Sequence, residues 1–476
     1  MTQPHQIPVF AIVGHPNEGK SSVVSTLSED DSVPIAPTPG TTVVCRTYPV
    51  TIDGEEIIRF VDTPGFQSPK RALNWFKRYA GPEQHQVQAF IAEHENIPEF
   101  KDECELLTPI ARGAGIIYVV DGSRPVRNDD RAEMEILRMT GRPRMAVINA
   151  KTAEDTWLDP WKNEFRKHFN MVRVFNAHHA TYGERIDLLT SLKSIDQDWE
   201  PALERVIAAF RQDWDRRNTR TAQLIAEMLE SCLGYTAVET YSRESEVLSA
   251  KKRLVDRYRK DIGELEKKAH QQIKKRFKHN IFDYELPPRS IVKEDLFDKR
   301  TWQVLGLTSK QLALASAIAG GVAGGVIDAA HAGLSFGVFT AIGGLVGAGA
   351  ALLGGARMAR TRVVGLKLGG FQIQIGPNEN IQFLYVLLDR AFIYYSHIIN
   401  WAHGRRGLAE NNPGPSGYGS EKIGYTTHWD ENSKKICRRF FQKVRNQEDY
   451  GEEKKQMTGL IKKTLEEISE SRIKQT

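Results

Sequence analysis

Eight residues near the start of the chain, Gly14-His15-Pro16-Asn17-Glu18-Gly19-Lys20-Ser21, have the spacing G-x-x-x-x-G-K-[ST]. Each fixed position has a chemical reason. The glycines let the backbone wrap closely around a phosphate, and N–H groups at a helix start present positive dipole to an anion. The lysine reaches the β and γ phosphates of a nucleoside triphosphate, and the hydroxyl after it ligates magnesium. Lys20 and Ser21 fill those two roles. Gly14, His15, Pro16, Asn17, Glu18, Gly19 and Ser22 complete the candidate phosphate loop. Two tetrapeptides follow in order. Pro39-Gly40-Thr41-Thr42 offers a threonine to close over the γ phosphate and complete the magnesium shell, with Thr42 preferred over Thr41. Asp62-Thr63-Pro64-Gly65 offers a carboxylate for magnesium and, at Gly65, an N–H for the γ phosphate. Loss of that phosphate would release the segment behind it. Singly, the three are a turn opening a helix, an ordinary loop and an Asp-Thr helix cap; their order argues for one task.

Such a loop works only where a strand delivers it and a helix receives it. Residues 8–13 form a short apolar run that reads as a buried strand, and residues 19–27 read as the helix. Residues 42–52 and 56–61 read as two strands around Asp53-Gly54, a strong hairpin dipeptide. Residues 115–120, 144–149 and 172–175 complete the strand series, with helices over 129–139 and 185–192. Strands alternating with helices predict a mostly parallel sheet covered on both faces, apart from one early hairpin. Residues 66–114 carry no strand pattern and hold three short helical stretches, 71–79, 84–95 and 100–111, more than a minimal domain of this kind needs.

The remaining chain is charged and helical over 201–278, aromatic and helical over 381–401, and charged and helical again over 434–473. At 476 residues it is too long for one core. The spacing divides it into a nucleotide-binding domain at 1–199 with an insert at 66–114, a charged helical domain at 200–300, a Gly/Ala-rich apolar hairpin at 301–365, and a helical region at 366–476 with a loop at 405–425. Hydrophobic residues make up 40% and charged residues 26%, and the net charge of +5 does not by itself indicate nucleic acid or an acidic surface as partner. The four cysteines form no C-x-x-C pair, so zinc or a disulfide framework is not expected and a reducing cytoplasm is. The first ten residues lack the pattern of a signal peptide. His178-His179 has no third ligand nearby and reads as loop, and Gly404-Arg405-Arg406-Gly407 reads as a helix end.

The order GHPNEGKS, PGTT, DTPG resembles that of translation-factor-type GTPases of the Era-like group, over about residues 8–195. More loosely, the later half resembles a bacterial subgroup in which the G domain precedes a C-terminal domain of unknown function with a Gly/Ala-rich apolar segment. The resemblance implies a Ras-like α/β G domain followed by an all-α region, GTP and GDP as ligands, and hydrolysis to GDP and phosphate as a molecular switch. It implies catalytic parts for Lys20, Thr42 and Gly65, magnesium held by Ser21, Thr42 and Asp62, and a candidate potassium site at Asn17. Phe66 stands where Ras-like proteins have the water-orienting glutamine, so that water must be oriented otherwise. The base-reading pattern departs from the family's Asn-Lys-x-Asp: the sequence is Asn149-Ala150-Lys151-Thr152-Ala153-Glu154-Asp155, with Asn176-Ala177 where Ser-Ala is usual. Asn149, Lys151, Asn176 and Ala177 are the candidate base contacts, and guanine preference is carried by the resemblance more than by these residues.

Residues 310–357 hold one charged residue between their ends, Asp328. Glycines and alanines at every fourth position would let two helices approach closely, as in membrane helix pairs. The arm at 332–356 is long enough to span a bilayer; the arm at 311–327 is marginal. Lys310 before the pair and Arg357, Arg360, Arg362 and Lys367 after it would keep both ends cytoplasmic. This points to membrane lipid or a membrane protein as partner and to the inner face of the cytoplasmic membrane. The alternative is a Gly/Ala hairpin buried in a soluble helical domain or in a homo-oligomer core. Two other functions stay open: a nucleotide-controlled assembly scaffold with negligible hydrolysis, and an RNA- or ribosome-associated GTPase, for which the basic run at 267–278 is weak support.

Overall fold

The computed structural model describes residues 7–28, 44–150, 156–177, 182–277, 290–308, 311, 371–399 and 424–470. The first strand, β1 (Val9–Val13), alternates its side chains between two covered faces. Phe10 and Ile12 enter one core and Ala11 and Val13 the other. That double burial is why the strand is apolar throughout. β2 (Arg46–Ile52) and β3 (Glu55–Asp62) pair antiparallel through Asp53-Gly54, whose φ angles of 55° and 83° are those a type I′ turn demands. β4 (Gly115–Asp121), β5 (Arg144–Asn149) and β6 (Met171–Phe175) extend the sheet in parallel.

The strand order is β2-β3-β1-β4-β5-β6. The chain therefore winds to one side of β1 and then to the other, which opens a crevice at the carboxyl ends of the strands. The register aligns those ends: Ile12 lies beside Asp62, Val13 beside Tyr118, Asp121 beside Asn149, and Asn149 beside Phe175. One sheet face is covered by α1 (Lys20–Ser28), α7 (Tyr182–Lys193) and the first turns of α8 (Glu200–Leu233). The other is covered by the insert helices α2 (Pro69–Arg78), α3 (Gln86–His94) and α4 (Lys101–Ala111), then α5 (Asn128–Met139) and α6 (Leu158–Phe165). The three insert helices match the three expected from sequence. α6 was not foreseen: it has eight residues with Pro160 in its first turn, although Leu158, Trp161 and Phe165 mark its buried side.

Beyond the sheet the chain is mainly helical. α8 runs for 34 residues, about 51 Å at 1.5 Å per residue. Its second half enters a separate core with α9 (Val247–Arg276), α10 (Lys299–Val304), α11 (Gln382–Ile399), α12 (Glu431–Asn446) and α13 (Gly451–Glu470). α11 is buried on nearly every side, as its aromatic and aliphatic composition requires. Its Arg390 uses all five guanidinium N–H groups: two go to Glu266 at 2.6 and 3.0 Å, and three to the carbonyls of Ile291, Val292 and Glu294. The helical region also carries a feature beyond helices. β7 (Ala237–Tyr241) and β8 (Phe371–Ile375) pair antiparallel, with Ala237 opposite Ile375 and Tyr241 opposite Phe371. The alternation Phe371, Ile373, Ile375 is visible in sequence, but its partner lies more than 130 residues upstream.

All four cysteines are free thiols. Among the described residues no helix is long and apolar enough to cross a membrane, and no cluster of three or more His, Cys, Asp or Glu residues could hold a metal ion. Of the expected apolar hairpin at 301–365, residues 301–308 are described, with Val304, Leu305 and Leu307 in the helical core, as is Gln311; the rest lies outside the described residues, as do His178-His179 and the segment 404–407.

Candidate nucleotide-binding site

The loop between β1 and α1 is built by backbone that only certain residues tolerate. Gly14 has φ 143°, Gly19 has φ 92°, and Asn17, exposed at the loop tip, has φ 67°. A Cβ on Gly14 would stand 2.3 Å from the Val119 carbonyl oxygen, so the loop leaves β1 pressed against β4. Lys20 is the first residue of α1 and is nearly fully buried. Its Nζ donates to the carbonyls of Gly14 and His15, both at 3.1 Å, so the ammonium caps the loop. Burial pushes its pKa down, against the pull of Asp62, Glu133 and Glu18. A buried cation held mainly by carbonyls, at a helix start, is a place where an anion is strongly favoured. Ser22, the next residue but one, is buried behind it.

Asp62, at the end of β3, meets this loop from the neighbouring strand. Ser21 Oγ donates to Asp62 Oδ2 at 2.7 Å. A hydroxyl and a carboxylate converging at the mouth of the crevice form a hard-oxygen donor pair of the kind magnesium takes. The residues present fit a magnesium ion, which Ser21 and Asp62 would hold. Thr63 Oγ1 donates to the Ile12 carbonyl at 2.8 Å and ties the DTPG turn to β1, a contact the sequence did not disclose. Gly65 packs directly on Pro16, where a Cβ would lie 2.5 Å from the ring Cδ. Phe66 is fully buried in the core beneath the insert, with Phe76 and Phe90. Thr42 lies outside the described residues.

The base side of the crevice is reached through Asn149. Its Nδ2 donates to the Glu18 carbonyl at 3.1 Å, and its Oδ1 accepts from Ala177 N at 3.2 Å. Thr26 Oγ1 donates to the Ala177 carbonyl at 2.9 Å. The structure thus joins Glu18, Asn149 and Ala177, with Asn176 half-buried beside them. Lys151, Thr152 and Asp155 lie outside the described residues.

Two supports of the loop went unrecognised in the sequence. The Glu18 carboxylate accepts from the Asp121 amide and, at 2.7 Å, from Arg124 Nε. Arg124 also grips Asp130 at 2.7 and 2.8 Å and lies 5.1 Å over the Trp161 ring. The second support starts at His15, whose Nδ1 lies 3.1 Å from Glu133 Oε1, while Tyr118 OH donates to Glu133 Oε2 at 2.8 Å. The bond to Glu133 raises the His15 pKa, against burial; burial raises that of Glu133 and pushes that of Tyr118 well above 10. Neither support has a fixed sequence spacing, because each joins the loop to a distant helix.

A mostly parallel sheet with this phosphate loop at its switch point, followed by DTPG, defines an Era-like P-loop GTPase domain. Residues 9–150 match the family described as 50S ribosome-binding GTPase. Residues 162–466 match the family described as a domain of unknown function, DUF3482; this match takes in well over half of the chain, which belongs to that family. The chain is similar to GTPase Der of Bifidobacterium longum, 27% identical over 210 residues, 44% of this chain and 37% of that protein. It is similar to GTPase Der of Prochlorococcus marinus, 25% identical over 39% of this chain and 35% of that protein. It is likewise similar to GTPase Era of Deinococcus radiodurans, 29% identical over 30% of this chain and 38% of that protein. The chain thus spans well under half the length of these relatives. Among solved structures, Era in complex with MgGDPNP and a fragment of 16S ribosomal RNA aligns at 17% identity and TM-score 0.28, over 57% of this chain and 90% of that one.

Proposed function

We propose that the chain binds GTP with magnesium and hydrolyses it to GDP and phosphate as a molecular switch. The observation that carries this reading is the 2.7 Å contact of Ser21 with Asp62, beside a buried Lys20 at a helix start. Lys20 neutralises charge on the transferring phosphoryl group, and Ser21, Asp62 and Thr42 are the residues that would hold a magnesium ion, which would supply further charge neutralisation at the phosphate oxygens. Gly65 offers its N–H to the γ phosphate, and Asn149, Lys151, Asn176 and Ala177 are the residues assigned to the base. Asn17, at the exposed loop tip, would hold a potassium ion, a task suited to a chain with Phe66 in place of glutamine. Phosphate release from the full chain with GTP and magnesium tests the reading. Lys20→Ala should abolish binding of a fluorescent GTP analogue; unchanged affinity in that variant refutes the assignment.

The switch acts at a membrane in this reading, through residues 311–356. The support is their composition, their four-residue spacing of small residues and their basic flanks. The expected result is sedimentation with anionic phospholipid vesicles. A chain that stays in the supernatant in every nucleotide state returns the segment to a buried hairpin.

A further inference from the structure

The insert helix α4 touches the nucleotide-sensing chain twice, from one rigid element. Its Glu103, fully buried, accepts from the backbone amides of Gln67 at 2.8 Å and Ser68 at 2.6 Å. These are the second and third residues after Gly65. Both amides converge on Oε1, and among the described residues Oε2 has no hydrogen-bond partner. Two residues along the helix, Glu105 Oε1 accepts from the Cys45 amide at 2.8 Å, and the Glu105 carbonyl lies 3.2 Å from Cys45 Sγ. Cys45 is the third residue after Thr42 and leads into β2.

Neither carboxylate belongs to the nucleotide site, and neither serves the core. A buried glutamate costs several kcal/mol to desolvate unless its bonds are good, so its placement against two backbone amides calls for a reason. Its neighbours on α4 bind the helix into the insert. Leu106, Leu107 and Ile110 are fully buried against the sheet and the other insert helices. The helix therefore carries both grips as one rigid element, and the chain segments it grips are those that follow the two proposed γ-phosphate-facing motifs.

We propose that α4 is a two-point clasp in which Glu103 and Glu105 are positioning residues that couple the segment after Gly65 to the segment after Thr42, so that both respond to the nucleotide as one unit. This rests on the GTP-switch reading above and concerns the regulation of the same site. Without the clasp, each segment would answer the γ phosphate separately. With it, release of one end loosens the other through a shared helix, and the signal emerges on the insert.

The test is amide hydrogen exchange on the full chain with a non-hydrolysable GTP analogue and with GDP. The wild type should differ between the two states in peptides covering 44–48, 66–79 and 101–111 together. Glu105→Ala should speed exchange about tenfold or more at 44–48, and also at 66–79, which Glu105 does not touch. Glu103→Gln keeps an acceptor oxygen and should retain the coupled difference, whereas Glu103→Ala should lose it. Affinity for the GTP analogue should stay near wild type in all three. If each variant changes only the segment it contacts, or if Glu103→Ala keeps the wild-type difference, the clasp is refuted. Should Glu103→Ala fail to fold, Glu105→Ala decides alone, since its carboxylate is only half-buried. Failure of the wild type to bind the analogue would refute the GTP-switch reading instead, a result distinct from separate responses in a protein that binds.

Discussion

Gly65→Ala perturbs, by one methyl group, the turn proposed to face the γ phosphate. Gly65 has no left-handed backbone, so alanine can adopt its conformation and the whole effect is spatial. The added Cβ would stand 2.5 Å from Pro16 Cδ, 2.7 Å from Cγ and 2.7 Å from the Pro16 backbone nitrogen. None of these atoms is the free end of a flexible side chain. Carbon atoms rest at about 3.5 Å, so the turn and the phosphate loop must part by about 1 Å. A 1 Å misplacement of reacting groups costs about 100-fold in rate, equivalent to about 2.7 kcal/mol of barrier. In the proposed reading the nucleotide is held mainly by Lys20, the loop amides and the base contacts, which the substitution leaves in place. We therefore expect single-turnover hydrolysis to fall about 100-fold while affinity for GDP changes less than about threefold. A variant with wild-type turnover would show that Pro16 and Gly65 separate before the chemical step, and the positional argument would fail. Loss of hydrolysis and GDP binding in equal measure would refute it too, by showing that the methyl group disrupts the loop as a whole.

Two further outcomes are expected. Turnover should be faster in potassium than in sodium at equal ionic strength, and Asn17→Ala should remove the difference; equal rates in the two salts refute the potassium role of Asn17. The helical core should be acid-sensitive through His270 and His397, each pushed down to about 4 by burial. Because the folded pKa values lie below the ordinary 6.5, stability is intact above pH 6.5 and falls as pH drops towards 4. Between pH 7.5 and pH 5 each histidine should remove about 2 kcal/mol, measurable as a falling denaturation midpoint that His270→Gln partly flattens.

Much of the first domain was legible because its signals are local. The apolar runs of β1 and β4, the Asp53-Gly54 turn and the phosphate loop each lie within a few consecutive residues, where backbone geometry dictates residue type. The three insert helices were readable from spacing alone. What escaped were the contacts across the sheet. Arg124 reaches Glu18 from 106 positions away, and Glu133 reaches His15 from 118 positions away. Their partners are decided by how helices cross the strands, which no short window records. The ribbon of β7 and β8 was hidden for the same reason, since five residues of alternation earn confidence only once a partner is seen. α6 was obscured by its shortness and its proline.

The helix α8 has a thermodynamic consequence. Leu203, Val206, Ile207 and Phe210 lie in the core under the nucleotide sheet, while Leu224, Ile225, Leu229 and Leu233 on the same helix lie in the other core. Arg216, between them, pairs with Asp53 of the β2–β3 turn at 2.8 Å. Cutting the chain before Glu200 would strip four apolar side chains from the first core, each worth about 1.5–3 kcal/mol of burial. The two cores therefore share one unfolding reaction more than they divide it. A ligand that binds only the folded first core should raise the melting temperature of the second by mass action, though it touches nothing there. Calorimetry would register the nucleotide in a helical core that has no part in holding it.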